Sequence, residues 1–141
     1  MYIPDLAPYY SQMEYNAAGT RAVGWLAVGY EFKQGGTSPC FREALYRFCS
    51  HPVRRMRGFH QCDFCAQSVQ GMCHEDGLWL GAAEIRVFYK GNVYASPDLI
   101  YHYVIRHRYC PPDEFIEAVL RGPRPGSDEY DQLLRELPEI W

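Results

Sequence analysis

The sequence predicts an α+β fold in which a small antiparallel sheet is accompanied by about four helices. Segments rich in β-branched and aromatic residues alternate with stretches of helical periodicity that follow a capping residue. The 141 residues fit one domain, and 48% of them are hydrophobic, which is enough to form a core. We expect one domain over residues 1–122, with residues 123–141 forming an acidic helical extension packed on the same domain.

The N-terminal part is expected to contribute an arm, a strand and a helix. Residues 1–20 are rich in proline and tyrosine, and we interpret them as an extended arm whose aromatic rings pack on the body. Residues 21–32 mix β-branched, aromatic and apolar side chains, which predicts a buried strand. Ser38 is the predicted N-cap of a helix with Pro39 at its first position. One face of this helix carries its apolar residues, namely Phe41, Leu45, Phe48 and Cys49.

A hairpin is predicted in the second half of the chain. Residues 78–89 have strand chemistry, and a tight turn at residues 90–92 lets residues 93–95 pair back on them. The strands of a hairpin are antiparallel, which is the basis for the expected antiparallel sheet.

Three helices are predicted after the hairpin. The first covers residues 98–109, with Ser96 as its N-cap and Pro97 as its opening residue. The second covers residues 111–122, has acidic residues in its first turn and ends at a glycine C-cap. The third is the acidic helix over residues 127–137.

Composition and charge exclude several classes of protein. The chain has 14 basic and 17 acidic residues, so its net charge of -3 gives no electrostatic reason to expect nucleic-acid binding. No run approaches the roughly 18 apolar residues of a membrane span. The N-terminus lacks the basic start and apolar core of a signal peptide, so we expect a cytoplasmic protein without membrane contact. In that reducing compartment the six cysteines are expected to be metal ligands, nucleophiles or core residues rather than disulfides.

Two cysteines and two histidines have the spacing of a metal site. Cys62 and Cys65 form a C-x2-C pair, in which a tight turn directs both sulfur atoms at one point. His102 and His107 form an H-x4-H pair at the end of a predicted helix, a spacing found in Cys2His2 zinc sites. Because 36 residues separate the two pairs, the site differs from a DNA-binding zinc finger. The sequence predicts one Zn²⁺ in a knuckle-like site with these four ligands, and a full set of protein ligands makes it structural.

Other residues offer alternatives that the spacing leaves open. Cys73, His74 or His60 could replace one of the four ligands. With three protein ligands and a bound water, the metal would serve a hydrolase in which Glu84 or His60 assists. The remaining cysteines are expected to lie in the core or in packing contacts: Cys40, Cys49 and Cys110.

Two charged features each have a functional and a structural interpretation. The basic stretch Arg54, Arg55 and Arg57 would contact phosphates in a nucleic-acid-binding zinc protein. Its structural interpretation is a solvated surface, or one that faces the acidic C-terminal region. Glu84 lies within a predicted strand, where we expect either an exposed face or an ion pair with Arg86 two residues on.

Four segments of the chain resemble an uncharacterised family of short stand-alone bacterial proteins. They are VGWL (23–26), MRGFHQCDFC (56–65), GAAEIRVF (81–88) and YASPDLIYHYVIRHRYCPPDEFIEAV (94–119). The resemblance extends from Pro4 to Gly122. It implies a single fold and supports the set of four ligands, and it implies no substrate.

The function most consistent with these features is non-enzymatic. We expect a zinc-binding module for protein interaction, of accessory or immunity type, whose partner is another protein. An exposed aromatic patch near Tyr9, Tyr10 and Tyr15 would provide a surface for that partner. The hydrolase with an open zinc site and the nucleic-acid-binding protein are the alternatives. The number of protein ligands on the metal separates the hydrolase from the structural site.

Overall fold

The computed structural model describes residues 2–10, 16–55, 60–65 and 73–137. Four helices and two sheets are present in this part of the chain, which confirms the predicted α+β class. The strands are β1 (Pro8–Tyr10), β2 (Asn16–Ala22), β3 (Arg54–Arg55), β4 (Cys73–Glu75), β5 (Leu78–Leu80), β6 (Ala83–Tyr89) and β7 (Asn92–Pro97). The helices are α1 (Pro39–Cys49), α2 (Ile100–His107), α3 (Asp113–Arg121) and α4 (Asp128–Arg135). Within these ranges, no helix has the length and apolarity needed to cross a membrane.

The larger sheet is mixed rather than purely antiparallel. Its strand order is β1-β2-β7-β6-β3. β2 and β7 are parallel, with Arg21 opposite Tyr94, whereas the other neighbouring strands are antiparallel. A parallel pair requires a long connection between its strands, and here the connection includes α1 and four other strands. β4 and β5 form a separate two-stranded antiparallel sheet.

The predicted hairpin is present as β6 and β7. A two-residue turn at Lys90 and Gly91 joins the strands, and both residues have positive φ angles, 48° and 77°, as in a type I′ turn. The strand predicted over residues 78–89 is divided into β5 and β6. The chain bends at Gly81, where φ is +122° and a Cβ would lie 2.5 Å from the carbonyl oxygen of His60.

Two expectations for the N-terminal part are wrong. The segment expected as an arm over residues 1–20 instead contributes β1 and β2 to the sheet, although Tyr9 packs on the body as expected. The strand expected over residues 21–32 ends at Ala22. The chain leaves the sheet because Gly24 has a φ of +83°, and a Cβ there would lie 2.9 Å from the side chain of Ile100. Helix α2 therefore packs against the backbone where a longer strand would have continued.

Helix α1 begins as predicted. Ser38 Oγ accepts a hydrogen bond from the N–H of Phe41 at 3.1 Å, and Pro39 is the first helical residue. Cys40 is exposed, so its expected place in the core is wrong. Its side chain points about 100° around the helix from Phe41, away from the core. The predicted apolar face is buried and consists of Phe41, Leu45, Phe48 and Cys49.

The predicted start of α2 is wrong. Ser96 and Pro97 are the last residues of β7, and α2 begins at Ile100. Strand pairing takes precedence over the capping signal, because Ser96 lies opposite Ile85 on the neighbouring strand and is fully buried. The N-cap position is occupied by Leu99, which makes no side-chain capping hydrogen bond.

Helices α3 and α4 lie within their predicted ranges. α3 ends at Arg121 and is followed by Gly122, the predicted C-cap. α4 follows Ser127, whose Oγ accepts a hydrogen bond from the N–H of Tyr130 at 3.2 Å. Tyr130 is buried, and its hydroxyl donates to the carbonyl oxygen of Arg86 at 2.8 Å. Its ring also contacts that of Phe88, so α4 packs on β6.

The sheet has apolar side chains on both faces. Residues from all four helices and from β6 and β7 form the main core. Because successive residues of a strand face opposite sides, Ile85 and Val87 face this core, whereas Arg86 faces the other side. That side is covered by a second, smaller cluster: Ile3, Tyr9, Ala22, Trp25 and Ala95.

We expect Gly122→Ala to destabilise the fold by about 1–3 kcal/mol. A Cβ at this position would lie 2.1 Å from the carbonyl oxygen of Phe88 and 2.7 Å from that of Ala118, and backbone atoms cannot rotate away. Gly36→Ala is the matched control, because a Cβ there meets no atom within 4 Å. Urea unfolding measures both variants. Equal free energies of unfolding would contradict the close approach of α3 to β6.

Candidate metal centre

An aromatic side chain anchors the turn that contains the C-x2-C pair. Across this turn the N–H of Cys65 donates to the carbonyl oxygen of Cys62 at 3.4 Å. The ring of Phe64 packs against those of Phe32 and Tyr103, with centroids 5.3 and 5.8 Å away. Tyr103 belongs to α2, so this contact holds the turn against the helix that carries the two histidines.

The two histidines meet because the last turn of α2 is wider than that of an ideal helix. Residues five apart on an ideal helix point about 140° away from each other. Here the N–H of Arg108 bonds to the carbonyl oxygen of Tyr103, five residues earlier rather than four, as in a π-type turn. The N–H of Tyr109 bonds to the same oxygen at 3.1 Å. The ring centroids of His102 and His107 are consequently 5.1 Å apart.

A distant segment holds the end of α2 in place. The backbones of Lys33 and Gly35 form hydrogen bonds of 2.9 Å with those of Cys110 and Arg108. The side-chain amide of Gln34 donates to the carbonyl oxygen of His107 at 3.1 Å, although the two residues are 73 positions apart. The position of His107 therefore depends on a contact that local sequence does not reveal.

The ligand atoms of the four predicted residues lie close together. One atom each from Cys62, Cys65, His102 and His107 falls within 4.8 Å of all the others. The Sγ–Nε2 distances are 3.2 Å from Cys62 to His107, and 3.3 and 3.6 Å from Cys65 to His102 and His107. Bonds of about 2.3 Å to sulfur and 2.0 Å to nitrogen would place tetrahedral ligand atoms about 3.3–3.8 Å apart. The cluster has nearly this size and could hold a metal ion.

A buried carboxylate contacts the centre from the β4–β5 hairpin. Oε1 of Glu75 lies 2.9 Å from Nδ1 of His102 and accepts a hydrogen bond from Nε of Arg106 at 2.8 Å. Burial raises the pKa of Glu75, but the hydrogen bonds from Arg106 and His102 outweigh it, so the net pKa is lowered. The carboxylate is therefore ionised at neutral pH.

Burial also shifts the protonation of two ligands. It raises the pKa of the Cys62 thiol to about 12, against the opposing effect of a hydrogen bond from the backbone of Phe64. Burial and the nearby His102 lower the pKa of His107. At neutral pH the imidazole of His107 is therefore uncharged, which is the form that binds a metal.

We expect zinc binding at pH 7 to release about one proton or more from the protein. A metal binds the thiolate of Cys62, whereas the pKa of about 12 keeps this group protonated in the absence of a metal. Zinc affinity should therefore rise with pH and fall on acidification. Titration calorimetry in two buffers with different ionisation enthalpies measures the number of protons. Cys73→Ser, a change outside the cluster, should leave that number unchanged, and binding without proton release would contradict the prediction.

The three alternative ligands lie outside the cluster. Among the described residues, only the four predicted ligands form a group of this kind. Cys73 is half-buried in β4. His74 is exposed, and its ring packs on that of Trp79 with centroids 4.6 Å apart. His60 is also exposed, and its backbone N–H donates to the carbonyl oxygen of Gly81.

Glu84 belongs to a separate buried network. Its Oε1 accepts hydrogen bonds from Nη1 of Arg86 at 2.9 Å and from the hydroxyl of Tyr9 at 2.7 Å. The predicted ion pair with Arg86 is confirmed. The expected exposed face is wrong, because Glu84 is only 3% exposed and the N-terminal residues cover this side of the sheet.

The described residues include only part of the two predicted interaction surfaces, the basic stretch and the aromatic patch. Nε of Arg54 lies 3.9 Å from Oε2 of Glu84, and the side chain of Arg54 is mostly buried, whereas Arg55 is exposed. Tyr9 is buried, with its ring stacked on that of Trp25, so it is not part of an exposed aromatic patch. The side chain of Tyr10, and the whole of Arg57 and Tyr15, lie outside the described residues.

Glu75 is the residue of the centre that the sequence analysis misses. The segment before residue 77 is polar and carries mixed turn signals, which do not indicate a strand. The dipeptide Asp76-Gly77, between CHE and LWL, is a sequence signal for this hairpin, because such a pair favours a two-residue hairpin turn. In the structure the two residues form that turn, with φ angles of 47° and 87°. Alternation along the first strand then places Cys73 and Glu75 on one face and His74 on the other.

Comparisons with known proteins assign the chain to a family. Searches of curated proteins and of solved structures found no match. A family described as a domain of unknown function (DUF7919) matches residues 1–120, a range that includes the four cluster residues and Glu75. The chain therefore belongs to the DUF7919 family.

Proposed function

We propose that the chain is a non-enzymatic binding module stabilised by one Zn²⁺. The observation that carries this proposal is the group of two sulfur and two nitrogen atoms that lie within 4.8 Å of one another. Two thiolates and two imidazoles are the ligands of many structural zinc sites. Thiolates persist in a reducing compartment, which supports a cytoplasmic location.

The donor set supports a structural rather than a catalytic metal. Four protein ligands complete the tetrahedral coordination of zinc, whereas a hydrolytic zinc keeps one position for water. The residues that the hydrolase alternative requires lie outside the group among the described residues: Glu84 pairs with Arg86, and His60 is exposed.

Metal analysis and cobalt spectroscopy test the proposed centre. Protein purified without a histidine tag is expected to contain about one zinc per chain by mass spectrometry. Cys65→Ser should lose the metal, and Cys73→Ser should retain it. A wild-type protein that is purified without metal and takes up none when Zn²⁺ is added would overturn the proposal. In the cobalt-substituted protein the visible bands should be insensitive to azide, and bands that shift on its addition would favour the hydrolase.

We propose that the module binds another protein through the outer face of the β4–β5 hairpin. Trp79 is 64% exposed and packs on His74, which lies opposite it on the neighbouring strand. The inner face of the same hairpin carries Glu75, which contacts the metal centre. Tryptophan is enriched among the residues that contribute most to protein interfaces, which supports this choice of surface.

A pull-down from the source cells with wild-type and variant proteins tests this surface. We expect Trp79→Ala to weaken, by about tenfold or more, the binding of a partner that the wild-type protein captures. Tyr30→Ala is the matched control, because Tyr30 is also an exposed aromatic residue stacked on a single neighbour, Tyr2. A partner that Trp79→Ala retains at the wild-type level would overturn the placement of the surface.

A further inference from the structure

One buried carboxylate connects the metal centre to a hairpin that supplies no ligand. Glu75 is 5% exposed, and both of the hydrogen bonds described above, from His102 and Arg106, come from α2. A carboxylate removed from water needs such bonds to compensate for its lost hydration. The helix whose side chains donate hydrogen bonds to Glu75 is therefore the helix that carries two of the four ligands.

The carboxylate determines which nitrogen of His102 carries the proton. An ionised carboxylate only accepts hydrogen bonds, so the nitrogen that lies 2.9 Å from it, Nδ1, is the donor. An imidazole that binds a metal is neutral and has one proton, so its other nitrogen, Nε2, keeps a lone pair. Nε2 is the atom that lies 3.3 Å from Sγ of Cys65. The contact with Glu75 thus selects the form of His102 that can bind a metal inside the cluster.

The second histidine is held in a different way. The ring of His107 packs against that of Phe64 with centroids 5.6 Å apart, and its backbone carbonyl accepts the hydrogen bond from Gln34. Packing and a backbone contact restrict the position of this ring. His102 has in addition a charged acceptor aligned with one of its nitrogens. We therefore expect the proton of His102 to be more strongly localised on one ring nitrogen than that of a histidine held by packing alone.

We propose that Glu75 is a positioning residue of the metal centre. It holds His102 with Nδ1 protonated and Nε2 directed at the metal, and Arg106 holds the carboxylate in this orientation. The inference rests on the proposed zinc site and extends it beyond the four ligands. Outer carboxylates of this kind typically change metal affinity by about 10- to 100-fold.

The hairpin has other attachments, so variants at position 75 are expected to fold. The hydroxyl of Tyr101 donates to Oδ2 of Asp76 at 2.6 Å, and the hydroxyl of Tyr46 donates to the carbonyl oxygen of Asp76 at 2.8 Å. Leu80 at the end of the hairpin is fully buried in the main core. These contacts keep the hairpin against α1 and α2 when the carboxylate is removed.

Zinc affinity and the tautomer of His102 together test the proposal. We expect Glu75→Ala to weaken zinc binding about 10- to 100-fold, and Glu75→Gln, which keeps an acceptor oxygen, to weaken it less. Long-range ¹H–¹⁵N NMR of the metal-free protein, at a pH where the imidazole is neutral, should show the proton of His102 on Nδ1 in the wild type and on a mixture of both nitrogens in Glu75→Ala. Asp98→Asn is the control, since Asp98 is also a buried carboxylate but bonds to the N–H of Gly81.

The two readouts separate the failure of this inference from the failure of the proposed function. Zinc affinity of Glu75→Ala within about twofold of the wild type, or a His102 tautomer that the substitution leaves unchanged, would overturn the role of Glu75. A wild-type protein that binds no zinc would overturn the metal site, and the tautomer of the metal-free protein would still decide what Glu75 does. If Glu75→Ala fails to fold, Glu75→Leu, which also lacks an acceptor but fills more of the space, is tested by the same two measurements and the same limits.

Discussion

Removal of the proposed Zn²⁺ is expected to lower the unfolding temperature of the protein by about 10 °C or more. A ligand that binds only the native state stabilises it by about 4 kcal/mol when its free concentration is about 1,000 times its Kd. For a chain of this size each kcal/mol corresponds to roughly 3 °C. Structural zinc sites bind tightly enough to reach this regime at micromolar zinc.

The physical reason is that a metal bound by the four cluster residues would join the turn at Cys62 and Cys65 to α2. The turn at Cys62 and Cys65 touches α2 through the ring of Phe64 and through the sulfur–imidazole contacts themselves. The main core includes residues from all four helices and does not depend on the metal. We therefore expect the metal-free protein to remain folded at low temperature and to unfold earlier on heating.

Calorimetric melting in zinc and in EDTA measures this effect. Cys73→Ser should respond to the chelator as the wild type does, because Cys73 lies outside the ligand group. Cys62→Ser should melt at the lower temperature in both solutions. A wild-type protein with equal unfolding temperatures in zinc and in EDTA would argue against a stabilising metal.

Glu84→Ala is expected to destabilise the protein by about 3–5 kcal/mol. The substitution removes the carboxylate that lies 2.9 Å from Nη1 of Arg86, and the guanidinium of Arg86 is fully buried. It also removes the acceptor of the Tyr9 hydroxyl. A charge left in a buried site without this counterion is costly because the protein interior solvates it poorly.

The chain contains a control ion pair of the same length on its surface. Glu43 and Arg47 form an ion pair at the same distance, 2.9 Å, but on the surface of α1, where 70% and 52% of their side chains are exposed. Solvent and salt screen such a pair, so Glu43→Ala should cost about 0.5 kcal/mol or less. Urea unfolding of both variants in zinc tests the comparison, and similar losses would contradict the role assigned to burial.

Replacing both Glu84 and Arg86 distinguishes two contributions to the free energy of unfolding. One is the loss caused by burying Arg86 without Glu84, and the other is the net contribution of the ion pair. We expect Glu84→Leu with Arg86→Met to be more stable than Glu84→Ala, because the double variant buries no guanidinium that has lost its carboxylate. A double variant as unstable as the single one would show that the network contributes through its geometry, including the hydrogen bond to Tyr9.

The features that the sequence predicts correctly are those whose cause lies within a few residues. Ser38 caps α1 because its side chain reaches the N–H of Phe41, three positions away. Lys90 and Gly91 form a turn because both can adopt positive φ angles. The spacing of Cys62 and Cys65 likewise reflects the geometry of one tight turn.

The features that the sequence analysis misses depend on partners far along the chain. Ser96 has the chemistry of a helix cap but lies in β7, because Ile85 occupies the neighbouring strand. Position 24 follows an apolar, strand-like pattern, yet Ile100 leaves no room for the strand to continue. Glu84 has a local ion-pair partner, but its burial results from the N-terminal segment that covers the sheet.

The metal centre combines both kinds of cause. Residue type and spacing alone identify four candidate ligands, because a metal requires particular donor atoms and short motifs present them in pairs. Three further conditions arise in the folded chain: the wide last turn of α2, the contact of Gln34 with the end of that helix, and the buried carboxylate of Glu75. Residue type and spacing therefore identify the donor residues. Packing between distant segments brings their donor atoms together and determines which nitrogen of His102 faces the cluster.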